Sequence, residues 1–230
     1  MIGPVLAVFA HPDDESFIAA GALALAAHVM LVVATRGEKG RSHIGRDISD
    51  DELGILREKE LKKAIDAIGI KKLIILDYKD GLVADNGALV EKLIGIMRDF
   101  RPSSVITFGP DGLSGHKDHI AIGSAATKAF TRYGKGELYW VARPSFVRER
   151  LADIRKGWKS TEAHYTETKV IYSDDELLRV DTKPVEAEKK NAILCHASQA
   201  PERFLTPEME NFRRYEYFYK VPKEVLKKYR

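Results

Sequence analysis

Two short segments rich in histidine and aspartate stand out, AHPDDE at residues 10–15 and GHKDH at residues 115–119. Histidine and carboxylate side chains are the ligands of catalytic zinc, which takes three from the protein and keeps one position for water. His11 and Asp14 are three residues apart at the turn into a helix, so both can face one ion. His119 can complete the set from the second segment. The spacing therefore predicts one metal ion held by His11, Asp14 and His119.

The other polar side chains of these segments have chemistry to offer beside such a metal. Asp13 is not needed as a ligand, and a carboxylate in that place can take a proton from the attacking water. His116 lies three residues before His119, on the same helical face, and a protonated His116 could polarise a carbonyl and stabilise an oxyanion. Asp118 is placed to favour that imidazolium or to orient a ring nitrogen.

A fold must bring the two segments together. Apolar β-branched runs at residues 5–10, 29–35, 73–77 and 104–109 predict buried parallel strands. The amphipathic stretches between and after them, residues 16–27, 51–69, 88–100 and 117–133, predict helices. Further strands are expected at 137–142 and 169–172, and a helix at 184–195. The alternation predicts a doubly wound, Rossmann-like α/β fold, with a mostly parallel sheet and helices on both faces.

The two segments follow the first and fourth predicted strands. In doubly wound sheets, ligands bind beyond the carboxyl ends of the strands where the strand order reverses, commonly between these two. An isolated His-Pro-Asp turn is more often a helix start with a capping Asp, and an isolated H-x-D-H is usually a surface helix end. Both together at the expected switch point favour a metal. Neither G-x-G-x-x-G nor G-x-x-x-x-G-K-[ST] is present, so no dinucleotide or P-loop site is indicated.

The composition is that of one globular domain. The 230 residues, 44% hydrophobic and 31% charged, show no linker, so we expect a Rossmann-like core at 1–140 and an irregular cleft and C-terminal helical part at 141–230. The 37 basic residues are spread among 34 acidic ones. The basic runs at 148–159 and 220–230 are therefore interpreted as solvated faces, and no nucleic-acid partner is expected.

The sequence carries weaker indications of where the protein is located in the cell and of the growth temperature of its source. The uncharged stretch at residues 17–34 changes from Ala/Leu-rich to Val-rich, which favours a helix followed by a strand over a membrane span. The first residues have no basic region before the apolar run, so a cytoplasmic protein is expected. The single cysteine, Cys195, is interpreted as a core residue. Three Asn and one Gln in the chain indicate a thermophilic source.

With these residues in view, the chain resembles the LmbE-like (PIG-L) N-deacetylase family, whose members remove acetyl groups from N-acetylglucosamine-type sugars. The likeness rests on AHPDDE and GHKDH, and is supported by TRGEKG at 35–40, Arg57 with Glu60, residues 77–81, and CHASQ at 195–199. The resemblance implies a zinc-dependent hydrolase that releases acetate and an amino sugar.

The resemblance also implies roles for individual residues. It agrees with zinc on His11, Asp14 and His119, with Asp13 as the base and with His116 as oxyanion stabiliser. It further implies that three other residues contact the sugar, namely Arg57, Asp80 and His196. Members of the family often assemble as trimers or hexamers, so a homo-oligomer is a further expectation.

Two other functions use the same residues. A phosphoesterase with two ions bridged by Asp13 or Asp118 would need further ligands, for which Asp77 and Asp111 are candidates. A non-enzymatic metal- or sugar-binding module would have little use for Asp13 and His116 beside an open metal position. The identity of the sugar depends on residues 142–170, expected to form part of the cleft wall with Arg143, Arg148, Trp158, His164 and Tyr165.

Overall fold

The sheet follows the alternation of strands and helices in the sequence. The computed structural model describes residues 3–149, 171–206 and 213–230. Seven strands form one sheet in the order β3-β2-β1-β4-β5-β7-β6. They are β1 (Val5–Phe9), β2 (Val29–Thr35), β3 (Lys72–Tyr78), β4 (Ser104–Phe108), β5 (Glu137–Ala142), β6 (Leu177–Asp181) and β7 (Tyr215–Lys220).

The strand order reverses between β1 and β4. The chain proceeds from β1 outward through β2 to β3, and then returns to place β4 on the other side of β1, with Val5 opposite Ser104. These four strands and β5 pair in parallel, so the carboxyl ends of β1 and β4 open at one edge of the sheet. The mostly parallel α/β fold and the adjacency of the first and fourth strands are confirmed.

The helices form two groups, which right-handed crossovers in opposite directions place on opposite faces of the sheet. One group contains α3 and α6 with α1 and α2, and the other contains α4, α5 and α7. Their bounds are α1 (Asp14–Ile18), α2 (Ala20–Ala24), α3 (Asp50–Ala67), α4 (Gly87–Phe100), α5 (Lys117–Tyr133), α6 (Glu186–Cys195) and α7 (Lys223–Leu226). The apolar runs of the strands are buried between the two groups.

The predicted single helix at residues 16–27 is wrong in detail. Helix α1 already begins at Asp14, and Ala19, with φ −145° and ψ 2°, separates it from α2. The carboxylate of Glu216 on β7 accepts hydrogen bonds of 2.9 and 2.8 Å from the backbone N–H groups of Gly21 and Ala22. This buried carboxylate satisfies the exposed donors of a second helix start, which explains why the helix restarts there.

The C-terminal part contains more sheet than the sequence predicted. Strand β7 pairs antiparallel with both β5 and β6, where we expected irregular and helical structure. The strand predicted at residues 169–172 is not confirmed: its first two residues lie outside the described part, and Ile171 and Tyr172 are not in a strand. Among the described residues, no helix is both long and apolar enough to cross a membrane.

Candidate metal centre and active site

Three predicted ligands meet where β1 and β4 end. His11 lies in the loop after β1, Asp14 is the first residue of α1, and the first turn of α5 carries His119. Nδ1 of His11 lies 3.2 Å from Nε2 of His119, and Oδ1 of Asp14 lies 3.4 Å from the same Nε2. Ligands about 2.0–2.1 Å from a tetrahedral ion are about 3.3 Å apart. The distances from Nε2 of His119 to the other two donor atoms therefore fit ligands of one metal ion.

Hydrogen bonds on the far side of each ring direct the two free nitrogens toward that point. Nδ1 of His119 lies 3.0 Å from the carbonyl oxygen of Gly112, which can only accept, so Nδ1 carries the hydrogen. Nε2 of His11 lies 3.1 Å from Asp80 and 3.2 Å from Asp118, both carboxylates. Two lone pairs thus face each other at 3.2 Å, an arrangement that needs a proton or a metal cation between them.

Asp118 and Asp80 hold His11 from behind. The carboxylate of Asp118 also accepts hydrogen bonds from the N–H groups of Gly81 (2.7 Å) and Val83 (3.2 Å). That of Asp80 accepts one from the N–H of Lys39 (3.0 Å). Burial alone would lower the pKa of His11, but the Asp118 and Asp80 carboxylates outweigh it and raise this pKa to about 10. Without metal, His11 therefore carries the proton that a bound cation would replace.

Asp13, the expected base, sits beside the three donors in a strained backbone. Its φ of 104° lies in a region that only glycine adopts easily. The guanidinium of Arg57 donates to the Asp13 carboxylate (2.8 Å), to the carbonyl of Pro12 and to the carbonyl of Gly37 (2.7 Å). Arg57 is buried, so its two terminal nitrogens bind Asp13 and the loop rather than open solvent.

Two glycines of the TRGEKG segment make room for this guanidinium. A Cβ atom on Gly37 or Gly40 would overlap Nη1 of Arg57, and Gly37 has a φ of +67°. The segment after β2 is therefore shaped around Arg57. This gives a physical reason for the motif that supported the family resemblance.

Burial controls the charge of the two adjacent carboxyl groups. It raises the pKa of Asp13 to about 6, although Arg57 acts in the opposite direction. It also raises the pKa of Asp14 to about 6, against the influence of His11. One oxygen of Asp14, Oδ2, accepts hydrogen bonds from the N–H groups of Ala10 (3.2 Å) and His11 (2.9 Å). Both groups are ionised near neutral pH and gain from a neighbouring cation.

His116 caps helix α5 and faces the same point. Its Nδ1 accepts a hydrogen bond of 3.2 Å from the backbone N–H of Asp118, so Nε2 carries the hydrogen. Burial, and then the charge of His11, lower the pKa of His116 to about 3. The geometry thus favours a neutral donor, whereas the sequence led us to consider an imidazolium. Donor atoms of His11, His116 and His119 all lie within 4.8 Å of one another, so His116 is also within reach of the metal position.

The CHASQ segment lies beneath the site. His196 has no exposed surface, and its Nε2 contacts Oε1 of Glu15 at 2.7 Å. Ser198 donates to both carboxylate oxygens of Glu60 on α3, from its N–H (2.8 Å) and its hydroxyl (2.7 Å). The expected contact of His196 with a sugar is not supported by this burial. The sequence analysis gave Glu15 no role. Its position in AHPDDE, directly after the predicted ligand Asp14, could have marked it as part of the site.

The residues proposed for a second ion lie elsewhere. Asp77 is 62% exposed and pairs with Arg36 at 2.9 Å. Asp111 is buried and accepts hydrogen bonds from the N–H of Leu113 and the hydroxyl of Tyr172. Among the described residues, His11, Asp80 and Asp118 form another close donor group. Its contacts have hydrogen-bond lengths and its carboxylates already accept backbone N–H groups, so this group is satisfied without an ion.

A pocket lies beside the site, between α1, α6, β5 and β7. Its lining is largely apolar and aromatic, and includes Phe17, Leu113 and Tyr217, with Arg143 and Arg213 adding positive charge. Leu113 belongs to the loop that also carries His116, so the pocket continues the cleft. Of the residues expected in the cleft wall, Trp158, His164 and Tyr165 lie outside the described residues.

Several known proteins are similar to this chain in sequence or in fold. The family described as "PIG-L: GlcNAc-PI de-N-acetylase" matches residues 6–130. "1D-myo-inositol 2-acetamido-2-deoxy-alpha-D-glucopyranoside deacetylase" of Rhodococcus jostii (strain RHA1) is 28% identical, with 85% of this chain and 81% of that protein covered. "Probable N-acetyl-alpha-D-glucosaminyl L-malate deacetylase 2" of Bacillus anthracis is 32% identical, with 92% and 86% covered. The structure of "N,N'-diacetylchitobiose deacetylase from Pyrococcus horikoshii" is similar in fold, with a TM-score of 0.68 and 22% identity over 95% of this chain and 84% of that one.

Proposed function

Because this chain belongs to the PIG-L (LmbE-like) family of de-N-acetylases, we propose that it hydrolyses the acetamide of an N-acetylglucosamine-type sugar and releases acetate and the amino sugar. One observation carries the proposal. Asp13 directly precedes Asp14, whose Oδ1 lies 3.4 Å from Nε2 of His119, and a ring nitrogen of His116 lies within 4.8 Å of those of His11 and His119. A base, a metal position and an oxyanion donor are what amide hydrolysis requires.

The donor set fits zinc best among common metals. We propose that His11, Asp14 and His119 hold one Zn²⁺ per chain, because two imidazoles and one carboxylate are typical ligands of catalytic zinc. When bound, the ion supplies Lewis acidity toward the acetamide carbonyl and toward water. The carboxylates of Asp118 and Asp80 keep His11 oriented as a ligand.

The side chains of the chain itself move the protons. Asp13, ionised near neutral pH, takes a proton from the attacking water while the new C–O bond forms at the acetamide carbon. The neutral His116 donates Nε2–H to the developing oxyanion. When the C–N bond breaks, Asp13 returns its proton to the leaving nitrogen. Arg57 holds the Asp13 carboxylate in place through both steps.

We assign the neighbouring pocket to the group that is linked to the sugar. Its aromatic and apolar lining, with two arginines, offers packing to a ring and charge to a polar substituent. Tyr217→Ala is expected to raise KM for sugars that carry a linked group and to leave KM for free N-acetylglucosamine unchanged. An equal effect on both substrates would contradict this assignment.

The test of the function is acetate release from a panel of free N-acetylglucosamine, chitobiose, and inositol- and malate-linked forms, with and without a chelator. We expect turnover of at least one linked form, loss of activity with chelator and recovery with Zn²⁺. Metal analysis of the purified protein is expected to give one zinc per chain. Full activity of Asp13→Asn, or no turnover of any amide, would overturn the proposal. Light scattering tests the expected trimer or hexamer.

A further inference from the structure

We infer that His196 is a positioning residue for the base Asp13, acting through Glu15. This inference rests on the proposed function, because it assigns a role in that reaction. Its physical basis is a chain of hydrogen bonds that begins at the Asp13 backbone, passes through Glu15 and ends at His196 of the CHASQ segment.

The first link holds the strained residue itself. The N–H of Asp13 donates to Oε2 of Glu15 at 3.1 Å, while the φ of Asp13 is 104°. A residue in such a region persists only when its surroundings fix it. The Asp13 carboxylate is held separately, by Arg57. The Asp13 carbonyl accepts from the N–H groups of Ser16 (3.0 Å) and Phe17 (2.9 Å), so Glu15 is the side-chain contact that holds its N–H. This contact helps to set the direction from which the Asp13 side chain approaches the metal position.

The second link fixes Glu15. Its other oxygen, Oε1, lies 2.7 Å from Nε2 of His196 and accepts a hydrogen bond from the hydroxyl of Ser16 at 2.5 Å. Both Glu15 and His196 have no exposed surface. His196 and Ser16 together hold Oε1, so His196 helps to set where Oε2 lies and hence where the Asp13 N–H is held.

The third link returns to the residues around Asp13. Ser198 lies two residues after His196. Its backbone N–H and its hydroxyl both donate hydrogen bonds to the carboxylate of Glu60 on α3. Helix α3 also carries Arg57, one turn before Glu60, and Arg57 holds the Asp13 carboxylate. Asp13 is thus fixed from two directions by one continuous set of contacts, through Glu15 to His196 and through Arg57 to α3.

The contact between Glu15 and His196 is not explained by a contribution to stability. Nδ1 of His196 is buried and has no hydrogen-bond partner among the described residues. A buried pair of ionisable groups with an unsatisfied atom adds little net stability compared with apolar packing. Orientation of the Asp13 backbone is the benefit that its geometry does provide.

The experiment compares three variants of the full chain with the wild type. His196→Ala removes the contact, and His196→Gln keeps an N–H donor for Glu15. Thr127→Val is the matched control, since it removes the buried hydroxyl on α5 that accepts a hydrogen bond from the indole N–H of Trp140 on β5, a contact that does not involve Asp13. We expect His196→Ala to lower kcat roughly 10–100-fold, with zinc content unchanged, and His196→Gln to recover part of it. KM is expected to stay within about twofold, and Thr127→Val to leave kcat unchanged.

A second background separates positioning from sugar contact. In Asp13→Asn, where the base is already lost, adding His196→Ala is expected to change the residual kcat by less than about twofold. An increase in KM that persists in this background would identify His196 as a substrate contact and overturn the inference. A fall in thermal stability with unchanged kcat would overturn it in favour of a purely structural role.

A measurement without substrate completes the test. Amide hydrogen exchange of residues 13–16, followed by mass spectrometry, is expected to be at least about tenfold faster in His196→Ala than in the wild type or in Thr127→Val. Equal exchange in all three proteins would refute the inference. If the wild type turns over no acetylated sugar, the proposed function fails, whereas the exchange result still decides whether His196 holds the Asp13 backbone.

Discussion

Replacing Asp13, the proposed base, is expected to make the metal-free protein more stable. Burial raises the pKa of Asp13 from 3.8 to about 6, so above that pH the ionised carboxylate opposes folding. The rise corresponds to about 3 kcal/mol. The side chain is 18% exposed, and screening by solvent reduces the expected effect to about 2 kcal/mol. Asp13→Asn has nearly the same shape, and its oxygen can still accept from Arg57, so it removes the charge with little loss of contacts.

The assay is urea denaturation of chelator-treated wild type and Asp13→Asn from pH 4 to pH 8. Near pH 4 the carboxyl group is largely protonated in the folded chain and about half protonated in the unfolded chain, so the stabilities should differ by less than about 1 kcal/mol. The advantage of the variant is expected to grow up to about pH 6 and then stay constant. Exposed Asp47→Asn is the control and should show no such pH dependence. Bound zinc should shrink the advantage, because a cation favours the ionised form. A variant that is no more stable than wild type at pH 8 would refute the reasoning.

Three further predictions concern the metal position and the helix that supports it. Binding of zinc at pH 8 should release one proton per ion, because His11, with a pKa of about 10, must lose its proton; calorimetry in two buffers measures this, and release of none would contradict the ring orientations. His116→Ala should lower kcat by about 10²–10³ while zinc content stays at one per chain, whereas loss of zinc would identify His116 as a ligand. Gly123→Ala places a Cβ 2.5 Å from the Phe108 carbonyl oxygen. This overlap should lower the free energy of unfolding, measured by urea denaturation, by about 1–3 kcal/mol and weaken zinc binding. The control is exposed Gly95→Ala, which has open space around it and should stabilise the protein.

The sequence predicted the part of the site that depends on local signals. Buried strands are readable from apolar β-branched runs, and the ends of parallel strands share one edge of the sheet. His11 and His119 could therefore be placed together from their positions after the first and fourth strands. The structure adds the hydrogen bonds that orient the two rings, with Asp118 and Asp80 behind His11.

The remaining features depend on contacts that are distant in sequence. The break at Ala19 is explained by the carboxylate of Glu216, which no window of neighbouring residues contains. The insertion of β7 between β5 and β6 depends on pairing over long separations. His196 was expected to contact the sugar because the family resemblance implied it, but residue type does not reveal burial. The positive φ of Asp13 likewise has no local signature, since the residue is not glycine.

The insertion of β7 also bears on how the protein is made. Ribosomes add about 5–20 residues per second, and the candidate metal ligands are all present by residue 119. Strand β6 has no partner in the sheet until β7 has been synthesised. Strand β7 ends at Lys220, about 100 residues after the last candidate ligand. About 80 residues separate the end of β5 from Lys220, so a nascent chain spends roughly 4–16 s with β5 translated and its edge uncovered. During this interval the candidate metal ligands are already translated, and the edge of β5 is open to pairing with other chains.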